Sequence, residues 1–224
     1  MSAAPGRSQA SSHRSPQGEG ASVKSAPGLA WNHVPLAAVA AVPWRNGGGV
    51  TRELLAWPNA HDWVCRISVA EVAASGPFSA YPGVQRWFAV LSGEGVVLDV
   101  AGQVHRLDAA SAPLRFAGDA PTACALLAGA TRDFNLMLRT GQAHGTLRRV
   151  QGALAQDVVQ CVNKSKIIAI YSESTGADVH FDHENLQLPP QTLAWAVVPR
   201  TGVLRITSGA ALWLEVGLER EVCA

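Results

Sequence analysis

The sequence lacks the features of a secreted, disulfide-stapled or membrane-spanning chain. Its cysteines are scattered and form no Cys-x-x-Cys pair, so neither a zinc ribbon nor a redox motif is indicated. We expect free thiols in a reducing compartment at Cys65, Cys124, Cys161 and Cys223. The first residues show no apolar core of a signal peptide, and the apolar run over 35–42 is too short to cross a bilayer. A cytoplasmic protein without a membrane partner is predicted.

Charge is also scarce and balanced. Charged residues make up 16% of the chain, with 18 Lys and Arg against 17 Asp and Glu. Such a balance gives no electrostatic reason to bind a polyanion, so no nucleic-acid partner is expected. Apolar residues make up 48% of 224 positions, which is enough to build a core that needs no disulfides.

Common catalytic motifs are missing as well. The sequence holds no Gly-x-x-x-x-Gly-Lys-Ser/Thr loop for phosphates and no Gly-x-Gly-x-x-Gly fingerprint for dinucleotides. The Gly-x-Ser-x-Gly turn of serine hydrolases is absent too. These absences disfavour nucleotide chemistry and serine hydrolysis.

Helical periodicity is the last feature that the chain lacks. No stretch longer than about ten residues repeats apolar side chains at helical spacing, whereas short alternating segments recur between glycine-containing turns. This rhythm predicts an all-β protein with two barrel-like halves. We expect a flexible Ser/Gly/Pro-rich tail over 1–28, an N-terminal barrel over 29–145 and a C-terminal barrel over 146–224. Strands of the second barrel are predicted at 146–150, 157–162, 166–171, 178–181, 192–198, 202–207 and 211–216.

What the chain does contain is an unusual stretch at 44–53. It places Trp44, Arg45 and Asn46 before three consecutive glycines, and a strand follows. Three glycines indicate positive φ or close backbone approach, which fits either a tight turn or the lining of a ligand pocket. In the strand, alternation places Thr51, Glu53 and Leu55 on one face and Arg52 and Leu54 on the other.

Two later segments place polar groups on otherwise apolar strands. Over 63–72, Arg66 and Ser68 share one face, and either they face water or they serve a pocket. Over 133–139, Asp133, Asn135 and Met137 share a face opposite three apolar residues. Because Asp and Asn are poor strand formers, this pair indicates a polar cavity, unless it caps a strand end.

These residues resemble the HutD/Ves family in order and approximate spacing over most of residues 43–139. The matching runs are 43–53 (PWRNGGGVTRE), 66–72 (RISVAEV), 76–84 (GPFSAYPGV), 91–95 (LSGEG) and 133–137 (DFNLM). Arg45 stands where the family often has lysine. The resemblance implies a bicupin fold, with two antiparallel β-barrels in one chain. It also implies a modulator of histidine utilisation that senses a small acid such as urocanate or formylglutamate.

Metal chemistry is disfavoured by the histidines. A typical metal cupin uses a His-x-His pair with a Glu and a later His, and this sequence has no His-x-His. The candidate ligands in the first barrel are His61 in a loop and His105 in a strand, and the neighbourhood of His105 lacks partners, so a metal-free pocket without cofactor is predicted. The cluster His180, Asp182, His183 and Glu184 stays open as a metal site or a solvated turn.

Recognition of a small anion fits these side chains best. Arg66 or Arg45 would provide a planar fork for a carboxylate, neutral groups would add hydrogen bonds, and aromatic rings would form apolar walls. The predicted ligand-binding residues are Trp44, Arg45, Asn46, Thr51, Glu53, Arg66, Ser68, Phe78, Asp133 and Asn135.

Two functions follow from this site. The first is a non-enzymatic protein that binds a small carboxylate and modulates histidine utilisation. The second is a metal-free isomerase or lyase that uses Glu53 or Asp133 as general base on a small organic acid. A metal-dependent oxygenase ranks third because of the missing histidines. A homodimer is a further expectation, since barrels with apolar outer faces often pair.

Overall fold

The described part of the chain folds into seventeen strands and one short 3₁₀ helix, Leu36–Ala38. The computed structural model describes Met1 and residues 29–158, 165–198 and 201–219. The strands are β1 (Asn32–Pro35), β2 (Val42–Pro43), β3 (Gly49–Trp57), β4 (Cys65–Val72), β5 (Gly76–Pro77), β6 (Val84–Ser92), β7 (Val96–Val100), β8 (Gln103–Leu107), β9 (Leu114–Ala117), β10 (Thr122–Leu126), β11 (Thr131–Arg139), β12 (Ala143–Gln151), β13 (Leu154–Val158), β14 (Lys166–Phe181), β15 (Glu184–Leu188), β16 (Thr192–Val198) and β17 (Gly202–Leu218). The all-β prediction is confirmed.

The predicted flexible tail lies outside the described residues apart from Met1, and so do Cys161 and Cys223. Cys65 and Cys124 are buried free thiols, as predicted. Within the described ranges, no helix has the length and apolar character that a bilayer crossing requires.

The strands form three antiparallel sheets. The six-stranded sheet has the order β2-β3-β4-β11-β6-β9 and is called the shared sheet, because its residues belong to two hydrophobic cores. The four-stranded sheet, called the small sheet, has the order β5-β10-β7-β8. The C-terminal sheet runs β1-β16-β14-β17-β12, with β13 beside β17 and β15 beside β14. Within the described ranges no sheet closes into a barrel, so the division into two cupin barrels stays a prediction.

The shared sheet is buried on both faces. Strands β4, β6 and β11 are buried along most of their length, and alternate side chains enter two different cores. Phe88 and Val90 pack with Leu98 and Cys124 of the small sheet. On the opposite face a larger core joins the shared sheet to the C-terminal sheet, with Ile67, Trp87, Phe134 and Leu136 on one side and Ile167, Tyr171, Leu212 and Leu214 on the other.

One register shift corrects the predicted strand faces. Glu53 pairs with Ser68 and Leu55 pairs with Ile67, so Leu54 is an extra residue in β3. Such a β-bulge reverses the alternation beyond it. Leu55 therefore packs in the larger core with Leu54 and not on the face of Thr51 and Glu53, which was wrong in the sequence prediction.

Two strands of the C-terminal sheet are longer than predicted, because each joins two predicted segments. The segments 166–171 and 178–181 are one strand, β14, and the segments 202–207 and 211–216 are one strand, β17. The predicted break between the first two is a register shift from Ser172 to Ala177, with Gly176 at φ 73°. Because Ile168, Ile170, Val179 and Phe181 share one core, this shift keeps both halves of β14 facing inward.

The start of the described chain belongs to the C-terminal sheet. Strand β1 pairs with β16 in register from Asn32 opposite Trp195 to Pro35 opposite Thr192. The sequence prediction assigned this segment to the N-terminal barrel. The cavity described below is built from residues 42–137, so this pairing leaves its composition unchanged.

Candidate functional site

A cavity of about 550 Å³ lies on the face of the shared sheet that packs against the small sheet. The turn between β2 and β3 borders it on one side, and the segment around Phe78, Ser79 and Tyr81 borders it on the other. Strands β3, β4, β6 and β11 supply the wall between them, since their alternate residues point to this face. Polar groups from the turn, from the segment at 78–81 and from all four strands therefore meet in one volume.

The glycine stretch is both a tight turn and part of the cavity lining. The amide of Gly47 donates to the carbonyl of Trp44 at 3.0 Å, and Gly47 has φ 72°. Asn46 Oδ1 accepts from the amide of Gly48 at 3.1 Å, so a side-chain hydrogen bond also stabilises the turn. The indole Nε1 of Trp44 donates to Thr51 Oγ1 at 2.7 Å. This bond fixes the ring of Trp44 against the cavity.

Of the three consecutive glycines, Gly49 is the one at which another backbone approaches too closely for a side chain. A Cβ at this position would lie 2.3 Å from the carbonyl oxygen of Glu71, whereas a Cβ at Gly48 would lie 3.4 Å from Asn46 Oδ1. We expect Gly49→Ala to lower the free energy of unfolding by about 1–3 kcal/mol, since the backbone of β3 must move off β4. Gly48→Ala should change it by less than about 0.5 kcal/mol. Urea denaturation of both variants measures the difference, and equal losses would contradict this role of Gly49.

Arg66 is held by a carboxylate. Its Nε donates to Glu53 Oε2 at 2.6 Å, and the two side chains are 20% and 36% exposed. The bond crosses neighbouring strands, since Glu53 stands opposite Ser68. Arg66 thus enters the cavity with its charge already balanced, which makes it a weaker anchor for an anion than the sequence predicted.

A second arginine, Arg86 on β6, lies deeper in the cavity. Its side chain is buried, with the residue 5% exposed. Nη2 donates to Asn135 Oδ1 at 3.1 Å, and Nη1 lies 3.4 Å from the carbonyl oxygen of Ser79. Burial lowers the pKa of Arg86 to about 10, and the charge of Arg66 lowers it further. Within the described residues Arg86 forms no ion pair.

Aromatic rings surround the Arg86 guanidinium. Its central carbon lies 5.3 Å from the ring centroid of Phe78, 5.6 Å from that of Tyr81 and 5.1 Å from that of Phe116. Cations placed over ring faces at this distance are stabilised by the ring quadrupole. The rings fix the position of the guanidinium without neutralising its charge.

Asn135 and Asp133 share a strand face but have different surroundings. Asn135 lines the cavity, and because its Oδ1 accepts from Arg86, its amide nitrogen is left to donate to a ligand. Asp133 is 0% exposed and is not part of the lining. Its Oδ2 accepts from Thr131 Oγ1 at 2.9 Å. Burial raises the pKa of Asp133 to about 7, and the Thr131 hydrogen bond opposes that rise.

Nine of the ten residues predicted for the site line the cavity. They are Trp44, Arg45, Asn46, Thr51, Glu53, Arg66, Ser68, Phe78 and Asn135. Asp133 is the exception. On β11 the cavity is lined by Asn135 and Met137 and does not extend to Asp133. That these side chains bind a ligand stays a prediction.

Arg86, the most buried cation of the cavity, was not among the predicted site residues. The signal was available, because Arg86 alternates with Phe88 and Val90 on an apolar strand. A charged residue is rarely buried on such a face, and the sequence does not show that Asn135, 49 residues away, accepts a hydrogen bond from Arg86. Tyr81 and Met137 also line the cavity and were not predicted.

The histidines do not assemble into a metal site in the part of the chain that the structure describes. No group of three or more His, Cys, Asp or Glu side chains there is placed to hold an ion. His180 Nδ1 lies 2.5 Å from Asn185 Oδ1, and Asp182 Oδ1 accepts from the amide of Val203 at 2.8 Å. The alternative of a metal cluster around His180 and Asp182 therefore lacks the necessary geometry.

Comparison with known proteins finds a match to the family model described as HutD over residues 36–214. An uncharacterised 21.2 kDa protein encoded in the hutC 3′ region of Pseudomonas putida is 40% identical over 98 residues, which cover 43% of this chain and 52% of that protein. Protein Ves of Cronobacter sakazakii is 36% identical over 106 residues, which cover 47% of this chain and 59% of Ves. The matches thus span little more than half the length of these curated relatives.

A solved structure extends the similarity over more of the chain. HutD from Pseudomonas fluorescens SBW25, described as a formate condition, is 26% identical with a TM-score of 0.71, and the match covers 84% of this chain and 98% of that one. Solved structures that are only 7% and 8% identical share the cupin-like fold, and at that identity they show the fold alone.

Proposed function

This chain belongs to the HutD family, and from that membership and the cavity around Arg86 we propose that it binds a small carboxylate and thereby modulates histidine utilisation without converting its ligand. The names of the relatives associate the family with hut genes. Formate, named for the Pseudomonas fluorescens structure, is the smallest carboxylate and fits the chemistry proposed here.

The buried charge of Arg86 is the observation that carries the proposal. Removing a guanidinium from water is costly unless an opposite charge or a full set of hydrogen bonds replaces the water. Arg86 has Asn135 and Ser79 as acceptors, no ion pair among the described residues, and a buried Nε without a partner. A carboxylate seated on this guanidinium would supply the missing negative charge with a matching planar geometry.

The remaining lining suits a small organic acid. A volume of about 550 Å³ falls within the range of small-molecule sites. Ser68 and Asn135 offer neutral hydrogen-bonding groups, while Trp44 and Phe88 offer apolar walls. Glu53 uses Oε2 for Arg66, which leaves Oε1 to accept from an N–H group at the outer end of a longer ligand. Urocanate and formylglutamate both carry a carboxylate and such a group.

Ligand stabilisation tests the proposal directly. We expect formate, urocanate and formylglutamate to raise the unfolding temperature, because a ligand at 100 times its Kd adds about 2.7 kcal/mol to the free energy of unfolding. Formamide and the methyl ester of urocanate, which lack the anionic carboxylate, should not. Histidine serves as a zwitterionic comparison. Equal stabilisation by acids and their neutral analogues would count against an arginine-anchored site.

The enzyme alternative is supported by one observation. The pKa of Asp133, raised to about 7 by burial, suits a general base at neutral pH. Asp133 does not line the cavity, however, so a proton from a ligand would need another group to reach it. Chromatographic analysis of each stabilising ligand after prolonged incubation separates the two functions, since a product that forms only with protein would favour the isomerase or lyase.

We also propose the bicupin arrangement that the family resemblance implies. The shared and small sheets would form one cupin unit and the C-terminal sheet the other, with the boundary near residue 145. The protein is proposed to be cytoplasmic and to pair as a homodimer.

A further inference from the structure

Asp133 lies directly behind the proposed binding site. It precedes Asn135 by two residues on the same face of β11, which places the two side chains about 7 Å apart along the strand. Asp133 stands opposite Ala70 of β4, a residue that lines the cavity, and opposite Val90 of β6. A charge on this carboxyl group would therefore act on the cavity through protein rather than through water.

The surroundings of Asp133 favour its neutral form. Within the described residues, the only hydrogen bond to the Asp133 carboxyl group comes from the hydroxyl of Thr131 on the same strand, and Asp133 Oδ1 is buried without a partner. Strands β4 and β6 present Ala70 and Val90, and β10 of the small sheet presents the Cys124 thiol, whose pKa burial raises to about 12. Across the cavity, Glu53 and Arg66 neutralise each other.

The other charged groups near β11 are turned away or already engaged. Glu71 and Arg132 flank Ala70 and Asp133 on their strands and point to the opposite face, where they contact each other at 3.5 Å. Arg86 directs one nitrogen to Asn135 and another to Ser79. Asp133 has no ion pair within the described part of the chain, so nothing there compensates its negative charge.

We propose that Asp133 couples ligand binding to proton uptake, so that the cavity accepts an anion at Arg86 while Asp133 is protonated and releases it when Asp133 ionises. The inference rests on the proposed function, because it needs an anion at Arg86. Negative charges on an anion beside Asn135 and on the Asp133 carboxyl group behind it would repel each other through the protein interior. The bound anion and the ionised carboxyl group are therefore competing states of one site.

The affinity for the anion should fall as the pH rises. Since the pKa of Asp133 is raised to about 7, the carboxyl group is mostly protonated at pH 6 and mostly ionised at pH 8. If the anion binds only to the protonated form, its affinity falls about tenfold between these two pH values. Binding should take up close to one proton per ligand at pH 8 and much less at pH 6.

Calorimetric titration with formate tests the coupling, because formate stays ionised throughout this range. Wild-type protein at pH 6, 7 and 8, in buffers of different ionisation enthalpy, should show the tenfold loss and the proton uptake. Asp133→Asn should bind formate with an affinity that varies less than twofold over the same range. His105→Gln, a change on the small sheet's edge strand, should keep the wild-type dependence.

Each outcome bears on the proposal. An unchanged pH dependence in Asp133→Asn, or pH-independent binding by wild-type protein, would overturn the coupling and leave the proposed function intact. No formate binding by wild-type protein at any pH would overturn the function and the coupling together. If Asp133→Asn does not fold, carbon-13 NMR of the Asp133 carboxyl in wild-type protein decides, since saturating formate must raise its pKa and an unchanged value would refute the coupling.

Discussion

Replacing Arg86 with methionine is expected to weaken carboxylate binding by about 30-fold to several thousand-fold in affinity. This range corresponds to the roughly 2–5 kcal/mol that removal of one partner of a buried charge pair costs. Methionine keeps an unbranched stem among Phe78, Tyr81 and Phe116, so the aromatic packing should survive. Calorimetric titration with formate and urocanate measures the effect.

Three further variants make this result specific. Arg66→Met should lose less affinity than Arg86→Met, because Glu53 already balances the charge of Arg66. Arg86→Lys keeps a charge without the planar fork and should be intermediate. Arg115→Met, which removes an exposed arginine stacked on Trp87 outside the cavity, should bind like wild type. A larger loss in Arg66→Met than in Arg86→Met would reverse the assignment of the anchor.

Stability provides an independent check on Arg86. A buried cation without an ion pair destabilises the ligand-free protein, so its removal should not lower the free energy of unfolding. A functional residue is expected to behave in this way, whereas a residue retained for packing would lose stability when replaced. Urea denaturation of ligand-free wild type and Arg86→Met distinguishes the two.

Arg149→Ala is expected to destabilise the protein by about 3–5 kcal/mol. Arg149 on β12 donates from Nη1 to both carboxylate oxygens of Glu173, at 3.0 and 2.9 Å, and the two side chains are only 6% and 11% exposed. Its Nη2 also donates to the carbonyl of Val90 on the shared sheet at 2.6 Å. The variant would leave Glu173 buried without its cation and would break a bond between two sheets.

The neighbouring arginine is the matched control. Arg148 is exposed and its Nη2 donates to Gln156 Oε1, so Arg148→Ala should cost less than about 1 kcal/mol. Burial already raises the pKa of Glu173 and Arg149 opposes that rise, so the loss in Arg149→Ala should shrink at acidic pH, where Glu173 becomes protonated. Equal losses in both variants would contradict a buried ion pair.

Alternation along strands explains why so much of the site could be predicted from the sequence. A residue spacing of two fixes the face of a side chain, and this alone brought Arg66, Ser68 and Asn135 to the cavity. Alternation does not fix depth, and this is why Asp133 was assigned to the lining although it lies behind it. Depth depends on the sheet that packs across, and alternation along β11 does not show how closely Cys124 of that sheet approaches.

Register shifts set the second limit of the sequence analysis. The extra residue at Leu54 and the shift from Ser172 to Ala177 contain no proline, and only the second contains a glycine. Their position is determined by which partner residues pack best, so local composition does not reveal them. The pairing of β1 with β16 has the same origin, since it joins segments about 160 residues apart.

That pairing has a consequence for biosynthesis. The earliest described strand emerges from the ribosome long before β16, the neighbour that its backbone hydrogen bonds require. Until β16 is translated, β1 has no neighbouring strand in its sheet, while β3, β4, β6 and β11 are already complete. A nascent chain arrested before β16 should therefore be cleaved by protease near Asn32–Pro35, and a released chain should not.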